Sequence, residues 1–434
     1  MNMIHPAAAL LPLLTLSMIA AEPLPPPSDL SAQAQPPDVL VLANGERVTN
    51  KKEWATKRAP ELRRLIQHYE YGFMPPKPEA FEGRLLREDP QALSGKATLR
   101  EVEIHCTKPD AIVHLLIVVP NQRAGRVPCF LGLNFAGNYA VVADPQVQMP
   151  KGWIYEKFAG TVEHRAAEEG RGKQVEMWSI EQSIDRGYAV ATFYNGDIVP
   201  DQVELARERL KQFVPEGTSA DDPAAPATIA AWAWGFSRMI DYLVSDPAID
   251  PERIAAVGHS RNGKTALLAG AMDERIALVV PSQAGCGGTA PVRVAPELLP
   301  TQEGGRPKAE TIAVINKNFP HWFNGNFKKF NDAPERLPFD QHALIALCAP
   351  RPVLLTNAVE DEWANPVGQF EMLRAAELVY QLLSGDGLGD VKMPPVGELM
   401  NSRLGYQMRP GKHAMTAADW QVWLDYADKW LKAK

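Results

Sequence analysis

The chain has 434 residues, 45% hydrophobic and 22% charged, enough for a sizeable buried core in one large α/β domain or two ordinary ones. A net charge of −7 with no basic run argues against nucleic acid or an anionic membrane surface as a partner. Ten tryptophans exceed the usual share, and each is by default a core residue unless a site claims it.

Residues 1–21 end in an apolar run, Ala7 to Ala21, followed by a polar, proline-rich stretch from Glu22 to Pro37. The run is too short to cross a bilayer and reads as a secretory signal peptide, which predicts a secreted or periplasmic protein. No later run reaches the ~20 apolar residues that a transmembrane helix needs. Residues 22–50 read as a proline-rich linker and lead-in, and 51–434 as a single catalytic domain. Cys106, Cys129, Cys286 and Cys348 lie too far apart for a CxxC metal or redox motif. One disulfide and four isolated core thiols both remain open.

Residues 52–72 carry Trp54, Leu62, Leu65, Ile66, Tyr69 and Tyr71 at helical spacing, and predict an amphipathic helix. Strands are expected at 100–106, 111–120, 127–135 and 188–194, then an Ala- and Trp-rich helix at 226–244. Further apolar strands are expected at 254–259, 275–281 and 352–356, with helical patterns between them and a last helix from Trp420 to Trp430. Early hairpin-like strands followed by alternating β and α units predict a mainly parallel sheet sandwiched by helices. The long polar segments 138–180 and 289–340 follow strands, and are expected as insertions on the substrate side.

The central stretch is Gly258-His259-Ser260-Arg261-Asn262-Gly263-Lys264, entered from an apolar strand and left through a small, apolar helical pattern. Strand, sharp turn with an exposed serine, then helix is a nucleophile elbow, and it makes the predicted fold an α/β-hydrolase. The second glycine stands one place later than in the usual G-x-S-x-G. Serine needs a histidine to take its proton and a carboxylate to orient that histidine, in the chain order serine, acid, histidine. Three histidines follow Ser260. His413 lies in the loop before the last helix, where the base of this fold belongs. His342 opens an apolar helix and is expected to cap or pack there, and His321 sits in a substrate-side segment. The strand ending at Thr356 runs into Glu360-Asp361-Glu362. Three adjacent acids will not all point inward, because each raises the others' pKa. The residues alone favour Asp361, the shorter side chain nearest the turn, only slightly over Glu360. The oxyanion donors are expected to be the Arg261 amide, a second amide from Phe135-Ala136-Gly137, and the Arg261 guanidinium. Arg261 and Lys264 beside the nucleophile suit an anionic substrate. The scattered histidines give no metal-ligand spacing, and neither metal nor other cofactor is expected.

The run Gly258 to Lys264, together with Asp273-Glu274-Arg275-Ile276-Ala277-Leu278, Gly285-Cys286-Gly287-Gly288, Phe319-Pro320-His321-Trp322-Phe323, Asp361-Glu362-Trp363-Ala364-Asn365-Pro366 and Lys412-His413, resembles the glucuronoyl esterases of carbohydrate esterase family fifteen, bacterial type. The resemblance covers roughly residues 95–434. It implies an α/β-hydrolase that cleaves esters between (4-O-methyl-)glucuronic acid of glucuronoxylan and lignin alcohols, expected as a monomer. It further implies Ser260 as nucleophile, His413 as base, Arg261 as oxyanion stabiliser, and Lys264, Glu310 and Trp363 as contacts to the glucuronic acid moiety. Many fungal members carry the acid in a Pro-Gln-Glu-Ser-Gly run. Here Pro281-Ser282-Gln283-Ala284-Gly285 puts glutamine at that place, whereas Asp361 two residues before Trp363 matches the bacterial pattern and becomes the expected acid. The competing expectations are an acetyl xylan esterase or other carbohydrate esterase using the same triad, and a catalytically weakened carbohydrate-binding homologue, for which Gln283 is the argument.

Overall fold

The computed structural model describes residues 23–299 and 308–432; the expected signal peptide lies outside them. A nine-stranded sheet is built from β1 (Ala80–Ala92), β2 (Ala97–Thr107), β3 (Ala111–Pro120), β4 (Val127–Asn134), β5 (Ala189–Tyr194), β6 (Ile249–His259), β7 (Ile276–Ser282), β8 (Val353–Ala358) and β9 (Leu404–Arg409). Its spatial order is β1-β2-β3-β5-β4-β6-β7-β8-β9. β1, β2 and β3 form an antiparallel meander whose β3 pairs antiparallel with β5, and from β5 to β9 every neighbouring pair is parallel. The principal helices are α1 (Thr228–Leu243), α2 (Arg261–Met272), α3 (Pro366–Ser384) and α4 (Ala417–Ala427).

Parallel strands need both faces covered, so their sequences are apolar throughout. β4, β5 and β8 are buried at every position. Alternate residues feed two cores: Leu131, Ala191 and Ala256 pack with α1 and α2 on one face, and Phe130, Val190 and Val257 pack with Trp420 and Trp423 of α4 on the other. The capping box of Thr416 and Asp419 starts α4.

Two edge strands were not expected from the sequence. β1 is charged and largely exposed, as befits an edge that must not recruit another chain. β9 closes the other edge with the mixed run Leu-Gly-Tyr-Gln-Met-Arg. Residues 51–71 are one continuous helical run, as the spacing predicts. Part of the 22–50 lead-in packs onto the domain. Val39, Leu40 and Val48 are buried in the larger core, and Pro37 O accepts a hydrogen bond from His342 Nε2 at 2.9 Å. All four cysteines are buried free thiols. Among the described residues, no helix is long and apolar enough to cross a membrane.

Candidate active site

Parallel pairing gathers the chemistry at the carboxyl ends of the strands. β6 and β7 pair in register up to His259 and Ser282, so the next residues, Ser260 and Gln283, emerge side by side. β8 and β9 pair up to Ala358 and Arg409, so loops three and four residues later bring Asp361 to His413. Two further backbone bonds couple these loops, Val359 N to Arg409 O at 2.9 Å and Glu360 N to Gly411 O at 3.0 Å.

Ser260 sits at φ 59°, a region that costs a non-glycine residue about 1–3 kcal/mol and is kept where surrounding structure enforces it. Its own N–H donates to Ser282 O at 2.9 Å, and its carbonyl accepts from Gly263 and Lys264 in the first turn of α2. The late glycine has a physical reason. A Cβ on Gly258 would lie 2.0 Å from Asn262 O, and one on Gly263 would lie 2.9 Å from Ser282 O. Asn262 is fully buried between the two glycines and donates to Leu133 O at 2.9 Å, holding α2 onto β4.

His413 Nδ1 lies 2.6 Å from Asp361 Oδ2. Of the three adjacent acids, Asp361 is buried and Glu360 and Glu362 are exposed. The neighbouring His259 ring packs 4.5 Å from that of His413, and burial pushes its pKa well below the ordinary value, so it adds no competing charge. His342 is buried against the lead-in. His321 instead joins a cluster around Asp201.

Asp201, just beyond β5, escaped the sequence reading. Arg261 pairs with its Oδ2, while Oδ1 lies 2.9 Å from His321 Nε2 and 2.7 Å from Trp322 Nε1. Burial alone would raise the Asp201 pKa, but Arg261, His321 and Trp322 together hold it down at about 2. The Arg261 guanidinium is also ringed by Phe135, Tyr155, Phe319 and Trp322, with centroids 4.6 to 5.8 Å away. Tyr155 comes from the 138–180 insertion, Phe319 and Trp322 from 289–340. The only prior signal for Asp201 was a carboxylate shortly past a buried strand.

Lys264 is buried. Its Nζ donates to Ala284 O and to Cys286 O, the latter at 2.5 Å, and lies 4.0 Å from Glu310. Burial lowers the Lys264 pKa and raises that of Glu310, each opposed by the other. The expectation of an anion receptor is therefore corrected. Both cations already face a carboxylate, Arg261 with Asp201 and Lys264 with Glu310, and such pairing suits a neutral polar group better than a free charge. Of the amides expected to assist Arg261, that of Gly137 donates to Asn134 Oδ1 at 2.7 Å. The Arg261 amide opens α2, where the first N–H groups have no partner within the helix.

One cavity of about 320 Å³ is lined by Ser260, Arg261, Lys264, Gln283, Glu310, Phe319, Trp322, Asp361, Trp363 and His413, among others. It thus joins Ser260, His413, Asp361, Arg261, Lys264, Glu310 and Trp363, whereas Phe135, Ala136 and Gly137, expected to offer a second oxyanion amide, are not among its lining residues. Among the described residues, no group of three or more His, Cys, Asp or Glu is arranged to hold a metal ion.

A strained serine elbow on a mainly parallel sheet, with a carboxylate and a histidine on the following strand ends, defines a hydrolase of the α/β type. The family model for fungal glucuronyl esterases matches residues 157–384, just over half the chain. The carbohydrate esterase MZ0003 from an unknown prokaryotic organism is 41% identical over 398 residues, covering 90% of this chain and 88% of that protein. A 4-O-methyl-glucuronoyl methylesterase of Phanerochaete carnosa is 29% identical over 80% of this chain and 72% of its own. Among solved structures, a glucuronoyl esterase from Solibacter usitatus superposes with a TM-score of 0.83 at 35% identity, over 93% of this chain and all of that one. A promiscuous carbohydrate esterase family 15 enzyme from a marine bacterial metagenome gives 0.81 at 38% identity, over 93% and 99%. The chain belongs to the glucuronoyl esterases of carbohydrate esterase family 15, and is a carboxylic ester hydrolase.

Proposed function

We propose that the protein hydrolyses the ester between a (4-O-methyl-)glucuronic acid of glucuronoxylan and a lignin alcohol, through a Ser260-His413-Asp361 acyl-enzyme. The observation that carries this reading is the 2.6 Å contact of His413 Nδ1 with buried Asp361, in the one cavity that also holds Ser260, Lys264, Glu310 and Trp363. His413 takes the Ser260 Oγ proton as Oγ attacks the uronoyl carbonyl carbon. The tetrahedral oxyanion is met by the Arg261 amide and guanidinium. Collapse breaks the bond to the alkoxy oxygen, which leaves with the proton from His413. Water, deprotonated by His413, then attacks the acyl-serine and releases the uronate and free Ser260.

The esterified carboxyl is neutral, which fits a cavity whose cations are already paired. Lys264 and Glu310 offer a donor and an acceptor for sugar hydroxyls, and Trp363 a flat wall for the ring. At about 320 Å³ the cavity lies at the small end of ligand pockets, which run from about 300 to 1,000 Å³, and suits one sugar residue. The signal-like segment 1–21 supports action outside the cytoplasm; a single catalytic domain acting as a monomer belongs to the same proposal. Release of benzyl alcohol from benzyl glucuronate by the wild type, and its loss in Ser260→Ala, tests the assignment. Undiminished release by Ser260→Ala refutes it.

A further inference from the structure

Gln283 stands where a second carboxylate could have served the base, and its surroundings fit a different task. It is 1% exposed and, like Ser260, takes a left-handed φ, here 48°. Its side-chain Nε2 donates to Ala414 O at 2.7 Å, and Ala414 N–H donates back to its Oε1 at 3.2 Å. Ala414 directly follows His413. The Gln283 N–H donates to Thr356 O at 2.9 Å, on the strand that leads to Asp361, and the preceding carbonyl, Ser282 O, accepts the Ser260 N–H. Two consecutive residues thus touch the serine turn, the acid strand and the histidine loop.

We infer that Gln283 is a positioning residue, whose primary amide clamps the peptide after His413 and so sets the imidazole against Ser260. The inference rests on the triad reading above. The chemistry is selective: one planar group must offer a donor and an acceptor side by side to match the C=O and the N–H of one residue, Ala414. A carboxylate can accept from Ala414 N–H, but meets Ala414 O with a like partial charge. Asparagine has the right group and is one methylene short. The His413 side chain is 43% exposed, so packing alone does not fix it, and the clamp adds to the hold of Asp361. The charged groups around the clamp are His413 with Asp361, Lys264 and Glu310 across the cavity, and Arg409, which also donates to Ala414 O at 2.7 Å and is paired with Asp419.

The test is Gln283→Glu and Gln283→Ala beside Ser260→Ala, with kcat and KM on benzyl glucuronate from pH 5 to pH 8 and a melting curve for each. Gln283→Ala is expected to lower kcat about tenfold or more with KM little changed, since small displacements of catalytic groups cost rate. The ratio of Gln283→Glu to wild-type kcat is expected to rise as pH falls, because a protonated carboxyl restores both bonds to Ala414. Gln283→Glu matching or exceeding the wild type at pH 8, or a ratio flat with pH, overturns the inference. So does a Gln283→Ala variant that melts earlier but turns over normally well below its melting point. Survival of turnover in Ser260→Ala overturns the triad reading and this inference with it, whereas loss there beside a flat ratio overturns the role of Gln283 alone.

Discussion

The Asp361 carboxylate lies 2.6 Å from His413 Nδ1 and is buried, while its neighbours Glu360 and Glu362 point to solvent. One acid of the three can therefore hold the imidazole tautomer that leaves Nε2 free to take a proton. Asp361→Asn is expected to lower kcat by about 10³- to 10⁴-fold with KM within a few-fold. Glu360→Gln is expected to stay near wild type. Steady-state kinetics of the two variants decide between the acids, and the reverse pattern would move the role to Glu360.

Asp201 is the charge partner of Arg261. Asp201→Asn leaves the guanidinium without its counter-charge, and kcat is expected to fall about 10- to 100-fold, less than the loss of an oxyanion donor outright. The same variant has a stability signature. The folded pKa of about 2 is below the ordinary 3.8, so this carboxylate stabilises the fold above about pH 4, and that contribution is lost as pH falls toward 2. The melting-temperature gap between wild type and Asp201→Asn is expected to be wide at pH 6 and to narrow by pH 3. A gap independent of pH would contradict this.

Glu70 behaves in the opposite sense. It is fully buried, and burial, reinforced by Asp340, raises its pKa to about 8 against the hydrogen bonds from Gln341 and Tyr71. The folded state keeps its proton where the unfolded chain, with a pKa near 4.5, has lost it. Stability from this group is full below pH 4.5 and is lost as pH rises to 8. Glu70→Gln keeps the shape without the charge. Its melting temperature relative to wild type is expected to rise by about 2 °C or more between pH 5 and pH 8. An unchanged difference would show that Glu70 is ionised in the fold.

The fold was legible where burial dictates composition. The apolar strands β4, β5, β7 and β8 announce themselves because both faces of a parallel sheet are dry, and β3 and the helix α1 because most of their residues are buried in the same cores. β1 and β9 were silent, since an edge strand tolerates charge and mixed polarity and loses the period that marks a strand. The site divides in the same way. Ser260 is visible because the elbow needs glycines at fixed places, and His413 and Asp361 because the fold has an order of strand ends. Asp201 was invisible: its meaning lies in Arg261, His321 and Trp322, 60 to 121 positions away. The bonds of Gln283 to Ala414 were not legible, because its partner is backbone that no side-chain pattern records. The charge pattern of Arg261 and Lys264 misled for a similar reason, as their carboxylate partners come from distant loops.

The proposed function requires that this cavity recognise a uronoyl ester rather than an acyl ester in general. The most direct measurement is kcat/KM for a benzyl ester of glucuronic acid against an acetylated xylose under the same conditions. Acetate leaves Lys264 and Glu310 facing no sugar hydroxyl, and a site that binds hydroxyls rejects analogues lacking them strongly, so the uronate is expected to be preferred by about 10²-fold or more. Equal or better turnover of the acetate would contradict the account.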